Sequence, residues 1–486
     1  MSLSQRIARG VKATFGAELV HLGAQAGIIL LLTRMLGPDG YGTVYLAISI
    51  FSVASLFGTV GIPKSTAKFV TEYAQKDRTQ VRHVVRRSTV ALVFTTGIVC
   101  LVYFALIEPI VVVYDEPALG PLLVVGTAYI AINVAYGYVT ILFQGFGKVP
   151  LTGVTRAVAN ASQFGTIVLF LVLGFGTVGV IGGFVIGYAI AVLLASLYIA
   201  KIVRTYPRTE SAEPGLTRRV LEYSVPLTAS QGGNVLYKRV DTLMVGFFLT
   251  PVAVGFYELA KQVSTFVIAP AGSLGFTVAP TFGEHKSSAQ LERAARVYEQ
   301  SLEYILLLYL PAVVGIVLLA EPGIRFVFGS EYLGAVPVLQ LFSVFILFQA
   351  IDKITNDSLD YLGRATERAI GKGVTGTANF GLNIALIPLI GVEGAALSTG
   401  VCFALMVFYN LYLIDSELDL RWETIARSFG VTGGITVAMT VAVYALAPFI
   451  SGLFTLLGVV ASGILVWALC SVASGVVDVG EVKAHL

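Results

Sequence analysis

Pro38-Asp39-Gly40-Tyr41-Gly42-Thr43-Val44-Tyr45-Leu46-Ala47 is echoed 213 residues later by Pro251-Val252-Ala253-Val254-Gly255-Phe256-Tyr257-Glu258-Leu259-Ala260, with the proline, the glycine and the closing Leu-Ala in register. A second pair, Gly179-Val180-Ile181-Gly182 and Gly391-Val392-Glu393-Gly394, is 212 residues apart. Two anchors sharing nearly one offset mark an internal duplication. In an apolar chain, a duplicated unit of about six helices is a common transporter plan, because paired halves enclose a site that opens to either side. The duplication therefore makes transport the leading expectation.

The 486 residues are 56% hydrophobic and 13% charged, which places the chain in the membrane class and excludes a large soluble domain. Apolar runs near the ~20 residues needed to cross a bilayer follow one another with short polar breaks. Fourteen are counted: 14–36, 42–62, 88–107, 119–143, 151–173, 178–200, 221–248, 251–282, 302–320, 333–359, 370–390, 392–414, 428–449 and 452–474. The expected fold is an all-α polytopic membrane protein of about 14 transmembrane helices.

The placement of Lys and Arg orients these spans. With the N-terminus inside, Arg6, Arg9, Lys12, the run Lys64 to Arg87, Lys201 to Arg219, Lys286 to Arg296, Arg364 to Lys372, Arg421 and Arg427 all fall on the cytoplasmic side. The opposite loops carry Asp39, Glu108, Asp115, Glu116, Glu321 and Glu331, with Arg325 their one cation. This positive-inside asymmetry predicts both termini in the cytoplasm of a multi-pass cell-membrane protein. The net charge of +3 reflects that bias and gives no reason to expect nucleic acid. Cys100, Cys402 and Cys470 lie inside spans without metal or redox spacing and read as packing residues. The first apolar run is as long as a full span and is read as retained rather than cleaved.

The repeat divides the chain into a six-helix lobe at 1–217, a second six-helix lobe in parallel repeat at 218–427, and an accessory two-helix hairpin with a tail at 428–486. The first boundary falls in the polar stretch Tyr206 to Gly215, which has a linker's composition. Fifty-one glycines, clustered in places such as Gly179, Gly182, Gly183 and Gly187, allow close helix approach in lipid or, alternatively, hinge motion.

Ionisable residues inside spans cost about 2.5–3.5 kcal/mol at mid-bilayer and so face a partner or water. Gln231, Asn234, Lys238 and Asp241 share an arc of about 80°, flanked by Arg239. Gln349, Asp352, Lys353 and Asn356 share about 100°, with Asp357 beyond the edge. Glu18, His21 and Gln25 make a third face, Arg156, Asn160 and Gln163 a fourth, and Glu258 with Lys261 adds a pair. These faces suit a central aqueous cavity. Against that stands mutual neutralisation, since Lys238–Asp241, Glu258–Lys261 and Lys353–Asp357 have helical i,i+3 or i,i+4 spacing. Snorkelling is the plainer account of Arg34 and Arg156 near span ends.

Gly174-x-Gly176-x-x-Gly179 matches a dinucleotide fingerprint but joins two apolar spans rather than a strand and a helix, so it is rejected. Asn160-x-Ser162 and Asn356-x-Ser358 match a glycosylation pattern inside spans. There is no P-loop or His-Glu-x-x-His, so no metal site, no cofactor and no ATP-driven pump is expected.

Thr33-Arg34-Met35-Leu36-Gly37-Pro38-Asp39-Gly40-Tyr41-Gly42 resembles the first external turn of the Wzx-type polysaccharide-biosynthesis flippases, a branch of the multidrug/oligosaccharidyl-lipid/polysaccharide exporter (MOP) superfamily. Gly61-Ile62-Pro63, Arg239-x-Asp241-x-x-Met244-x-Gly246, Val254-Gly255-x-Tyr257, Leu386-Ile387-Pro388 and Gly391-Val392-x-Gly394-Ala395-Ala396 are similar to that family's patterns. The resemblance covers almost the whole chain and rests on backbone and packing signatures that say little of substrate. It implies translocation of a lipid-linked oligosaccharide, on a polyprenyl or dolichyl phosphate or pyrophosphate, by two lobes alternating access, with the tail left among membrane lipids. Lys238, Arg239, Lys353 and Arg156 are then candidates for the anionic headgroup, beside Gln231, Asn234 and Asn356. Asp241, Asp352, Glu258 and Glu18 are candidates for a coupling H⁺ or Na⁺.

One rival is a MATE-type H⁺- or Na⁺-coupled exporter of small organic cations, which a net acidic cavity would favour. The other is a membrane glycosyltransferase or polymerase. Such enzymes need a sizeable extramembrane segment, whereas no external loop here exceeds roughly fifteen residues, so the chain is not expected to be an enzyme.

Overall fold

A computed structural model describes residues 3–287 and 291–476; the side chains of 3–22, 229–231, 273, 276–281 and 283–287 lie outside the described set. Contacts divide the chain into two compact units at Val254/Gly255. The first holds Leu3–Thr59 (α1), Ile62–Lys76 (α2), Val81–Ala105 (α3), Ile107–Tyr114 (α4), Leu119–Gly145 (α5), Val149–Val172 (α6), Gly176–Arg204 (α7) and Leu216–Phe248 (α8). Pro251–Ser287 (α9) leads into the second, with Leu291–Gly323 (α10), Val336–Tyr361 (α11), Ala365–Ile390 (α12), Val392–Leu418 (α13), Trp422–Leu446 (α14) and Leu453–Ala473 (α15). No strand occurs among the described residues.

Among the described residues, twelve segments are long and apolar enough to cross a membrane. The sequence count of about 14 differs for two reasons. Gly23–Thr59 is one 37-residue segment, far longer than a ~30 Å hydrocarbon layer needs, and its backbone leaves helical geometry at Gly37 (φ 66°, ψ −179°) just before Pro38. Glycine accepts that positive φ, and the proline has no N–H to continue the ladder. The other uncounted span, α8, carries the polar stripe and is too polar to qualify on hydropathy. Large side chains left exposed include Phe454, Leu389, Leu101 and Val112, as expected where the surrounding solvent is hydrocarbon. This is a multi-pass membrane protein.

Displacing α5, α6 and α7 by 212 residues brings them onto α11, α12 and α13, and the Gly-Val-x-Gly motif falls near the start of both α7 and α13. Its second copy shows why glycine is needed: a Cβ on Gly394 would lie 2.4 Å from the Leu386 carbonyl oxygen of α12. In the first unit, Gly179, Gly183 and Gly187 form a ridge at four-residue spacing. A Cβ on Gly183 would sit 2.6 Å from Ile167 Cγ1, and one on Gly187 2.4 Å from Gln163 Cγ. Close packing is what these glycines provide, since small residues let helices approach where burial of apolar surface supplies little drive.

Two helices lie where the sequence showed only loops. The basic stretch after span two contains α2, an amphipathic helix that buries Ile62, Phe69, Val70 and Tyr73 and exposes Lys64, Lys68, Glu72 and Lys76. The eight-residue α4 follows α3 directly. The linker-like stretch is strapped down: Gln80 Nε2 donates to the Ser211 carbonyl at 3.2 Å, Glu213 N donates to Gln80 Oε1 at 2.9 Å, and His83 Nε2 lies 3.1 Å from the Thr209 carbonyl. Tyr73 hydrogen-bonds Glu213, which Arg219 meets at 2.8 Å.

In the second unit the C-terminal hairpin docks on α10. Trp467 Nε1 donates to the Leu307 carbonyl at 2.9 Å, Ser428 to Glu303 at 2.6 Å, and Arg421 pairs with the buried Glu299.

Candidate substrate and ion sites

In the first unit, side chains from α5, α6, α7 and α8 meet at one polar spot. Tyr129 and Tyr136 lie seven residues apart on α5, two turns along one face. Tyr188 of α7 stands against both, with ring centroids 6.0 Å from Tyr129 and 4.7 Å from Tyr136. Arg156 of α6 lies beside the Tyr136 hydroxyl, and the charge of Arg239 on α8 acts on both Tyr129 and Tyr188. Phe51 of α1 backs Tyr129 at 5.2 Å, and Asn133 reaches Ser55 at 3.4 Å. Gln163 of α6 lies beside the Tyr188 hydroxyl; it is 4% exposed, and its amide nitrogen has no hydrogen-bond partner among the described residues.

The span-seven stripe is split by burial. Asn234 and Lys238 are exposed, Arg239 is half-buried, and Asp241 is 4% exposed. Arg156 is exposed and Asn160 buried. The side chains of Gln231, Glu18 and His21 lie outside the described residues.

In the second unit, Asp352 of α11 is the centre of a network. Asn410 of α13 donates to Asp352 Oδ1 at 3.2 Å and reaches Asn356 Oδ1 at 3.4 Å; Asn356 in turn donates to Asp352 Oδ2. Arg368 of α12 approaches Asn356 Oδ1 at 3.5 Å and holds Asp360 in a fork, with both nitrogen–oxygen bonds at 3.0 Å. Lys353 is exposed, and its charge acts on both Asp352 and Asp357. Asn410 is fully buried, yet its Oδ1 accepts no hydrogen bond from the described residues. A second polar contact joins α12 to α13 through Asn383 to Asn379 at 3.2 Å, Asn379 to Thr399 at 3.3 Å, and Ser398 to Asn383. Glu258 is fully buried with Lys261 at 3.0 Å, the i,i+3 pairing its spacing allowed.

The polar faces thus gather Arg156, Gln163 and Arg239 in one unit and Asp352, Lys353 and Asn356 in the other. Sequence reading missed Tyr129, Tyr136, Tyr188 and Asn410. The seven-residue spacing of two tyrosines and a lone asparagine in an otherwise apolar span were the available signals, but both also fit ordinary core packing.

The chain is similar to known proteins over most of its length. A probable low-salt glycan biosynthesis flippase, Agl15 of Haloferax volcanii, is 27% identical over 206 residues, which is 42% of this chain and 44% of that protein, so this match spans less than half of either. The lipid II flippase MurJ of Bacillus subtilis is 22% identical over 87% of this chain and 85% of its own. Among solved structures, an inward closed conformation of the lipid II flippase MurJ aligns with a TM-score of 0.77 at 18% identity, covering 96% of this chain and 98% of that one, and so shares its fold. The family model for polysaccharide biosynthesis proteins matches residues 7–285, more than half of the sequence. Repeat, helix order and motif turns agree with that match, and the chain belongs to the polysaccharide biosynthesis protein family.

Proposed function

We propose that the protein moves a lipid-linked oligosaccharide across the cell membrane by alternating access, for polysaccharide or glycoprotein assembly. Supporting this, the relatives bear flippase names, and the charges acting on the first unit's tyrosine cluster, Arg156 and Arg239, are both cationic. That cluster is the observation on which the reading turns. A glycan headgroup cannot enter hydrocarbon without losing its hydrogen bonds to water, and a polar intramembrane site replaces them. Arginine's planar fork meets two phosphate oxygens at once, and a cationic surround disfavours the organic cations that a MATE-type exporter carries.

Lys238 and Lys353, both exposed on polar faces, are further headgroup cations, and Asn234, Asn356 and Gln231 supply neutral hydrogen bonds. Among the acidic candidates, Asp352 is the strongest for a coupling H⁺ or Na⁺, because it is a carboxylate buried within the helix bundle, with the Asn410 and Asn356 amides donating to it. Glu258, Asp241 and Glu18 are secondary. The apolar cavity of about 570 Å³ in the second unit, lined by Val263, Leu308, Ile316, Met439, Leu456 and Trp467 among others, offers space for a hydrocarbon tail. The bias of Lys and Arg places both termini in the cytoplasm. The relatives are named as flippases rather than enzymes, and no catalytic role is proposed.

Reconstitution in liposomes with defined lipid-linked oligosaccharides, measuring leaflet transfer beside export of a fluorescent cation, tests the reading. Glycolipid transfer without cation export is expected. Cation export alone would return the protein to the exporter class, and transfer of neither would remove both readings.

A further inference from the structure

Four features of the first unit bear on the sugar rather than the phosphate. Tyr136 and Tyr188 are half-buried, and their ring planes meet at 42° with centroids 4.7 Å apart, an angled aromatic wall. Tyr129, buried and backed by Phe51, supports that wall from behind. Gln163 sits where α6 and α7 approach closely: a Cβ on Gly187 would lie 2.4 Å from Gln163 Cγ and 2.6 Å from its backbone N. Its buried amide nitrogen stands beside the Tyr188 hydroxyl with no partner in hydrogen-bonding geometry among the described residues, and buried amides left so are rare except where a ligand or water completes them. Arg156, seven residues earlier on the same face of α6, brings guanidinium donors beside the Tyr136 hydroxyl.

We propose that Tyr136, Tyr188, Gln163 and Arg156 form a saccharide-recognition subsite inside the first unit. The inference rests on the flippase function above and adds the part of the substrate that these residues meet. A pyranose ring has one face of C–H bonds and a rim of hydroxyls. The C–H face packs on aromatic rings, which attract the weakly positive hydrogens through their negative π-surface. The rim needs donors and acceptors at its edge, which the Gln163 amide, the tyrosine hydroxyls and the Arg156 guanidinium provide. Arg239, whose charge also acts on Tyr188, is left for the phosphate. The arrangement reads a neutral or acidic sugar next to its lipid phosphate.

The test uses the full-length protein in nanodiscs and compares its affinity for dolichyl phosphate, dolichyl phosphomannose and dolichyl-diphosphate-linked chitobiose. The wild type is expected to prefer a glycosylated lipid over the sugar-free one. Tyr188→Ala and Gln163→Leu should each reduce that preference by about five- to tenfold, the equivalent of one aromatic contact or hydrogen bond, while Tyr188→Phe retains most of it. Gln163→Leu is close in volume and keeps the question answerable if Tyr188→Ala does not fold. A preference unchanged in both variants, or no preference in the wild type, overturns the subsite while leaving the flippase reading intact. Binding of none of the three lipids by the wild type instead overturns the flippase reading and the subsite with it.

Discussion

Asn410 of α13 donates its amide to Asp352 of α11 at 3.2 Å, inside a bundle where both side chains are almost wholly withdrawn from solvent. The carboxylate depends on that bond and on Asn356 for its solvation. Asn410→Leu should therefore destabilise the protein by about 1–3 kcal/mol, the cost of leaving a buried acceptor unsatisfied. Adding Asp352→Asn should recover part of the loss, because the group left behind no longer carries charge. Thermal unfolding in detergent micelles reads both; an unshifted midpoint for Asn410→Leu would show that the bond contributes nothing.

Lys261 sits 3.0 Å from a fully buried Glu258. Breaking a buried pair from one side typically costs about 3–5 kcal/mol, whereas replacing both partners with neutral groups can be close to harmless. Lys261→Met should sharply reduce the yield of folded protein, and Glu258→Gln with Lys261→Met should restore it. Equal yields for the single and double variants would show that Glu258 draws its stability from elsewhere.

Gly187→Ala and Gly458→Ala should move stability in opposite directions. At Gly187 the new methyl would strike Gln163, and overpacking of this kind costs about 1–3 kcal/mol. Gly458, within α15, has nothing within 4 Å of its would-be Cβ, so alanine there should gain the roughly 0.5–1 kcal/mol of a better helix former. Midpoints of thermal unfolding for the two variants, measured side by side, decide the point.

Acid should loosen the strap between α2 and α8. The hydrogen bond from Tyr73, supported by Arg219, holds the Glu213 carboxyl below its ordinary value of 4.5. A carboxylate with a depressed folded-state pKa contributes stability above its unfolded value and loses that contribution as pH falls through the folded one. The wild type should thus lose stability relative to Glu213→Gln only below pH 4.5, and the two curves should run parallel above it. A gap that stays constant into acid would separate the strap from Glu213 ionisation.

Loss of headgroup cations should reduce transport more than abundance. Arg239→Gln is expected to lower glycolipid transfer about tenfold or more, as one charge-assisted bond to phosphate is removed, and Lys238→Ala and Lys353→Ala to lower it less. Transfer assays in liposomes matched for protein content check this. Full transfer by all three variants would take these residues out of the path.

Much of the architecture was open to reading from residues alone. Lipid offers no hydrogen bonds, so each crossing must be a long apolar helix, and hydropathy marks it whatever its neighbours are. The same constraint made the polar stripes on spans five, seven and ten conspicuous, because each ionised group in an apolar run breaks the pattern. The duplication was legible for a similar reason: Pro38 follows the break at Gly37 (φ 66°) and Gly391 is itself a break (φ 72°), turns whose backbone few residues but glycine accept. α2 and α4 escaped notice because one is too polar and the other too short for that pattern.

What needed the folded chain was which polar groups meet. Tyr136 and Tyr188 are 52 positions apart in sequence, and nothing in either helix says that their rings lie 4.7 Å from each other. That encounter follows from the Gly179–Gly183–Gly187 ridge drawing α7 onto α6, and from α5 packing on α7, a choice of faces made jointly by several helices. Asn410 likewise becomes more than a polar blemish only where Asp352 lies across from it. Membrane solvation acts on each residue singly and can be read along the chain, whereas side-chain encounters depend on how helices are rotated against one another, which packing alone decides.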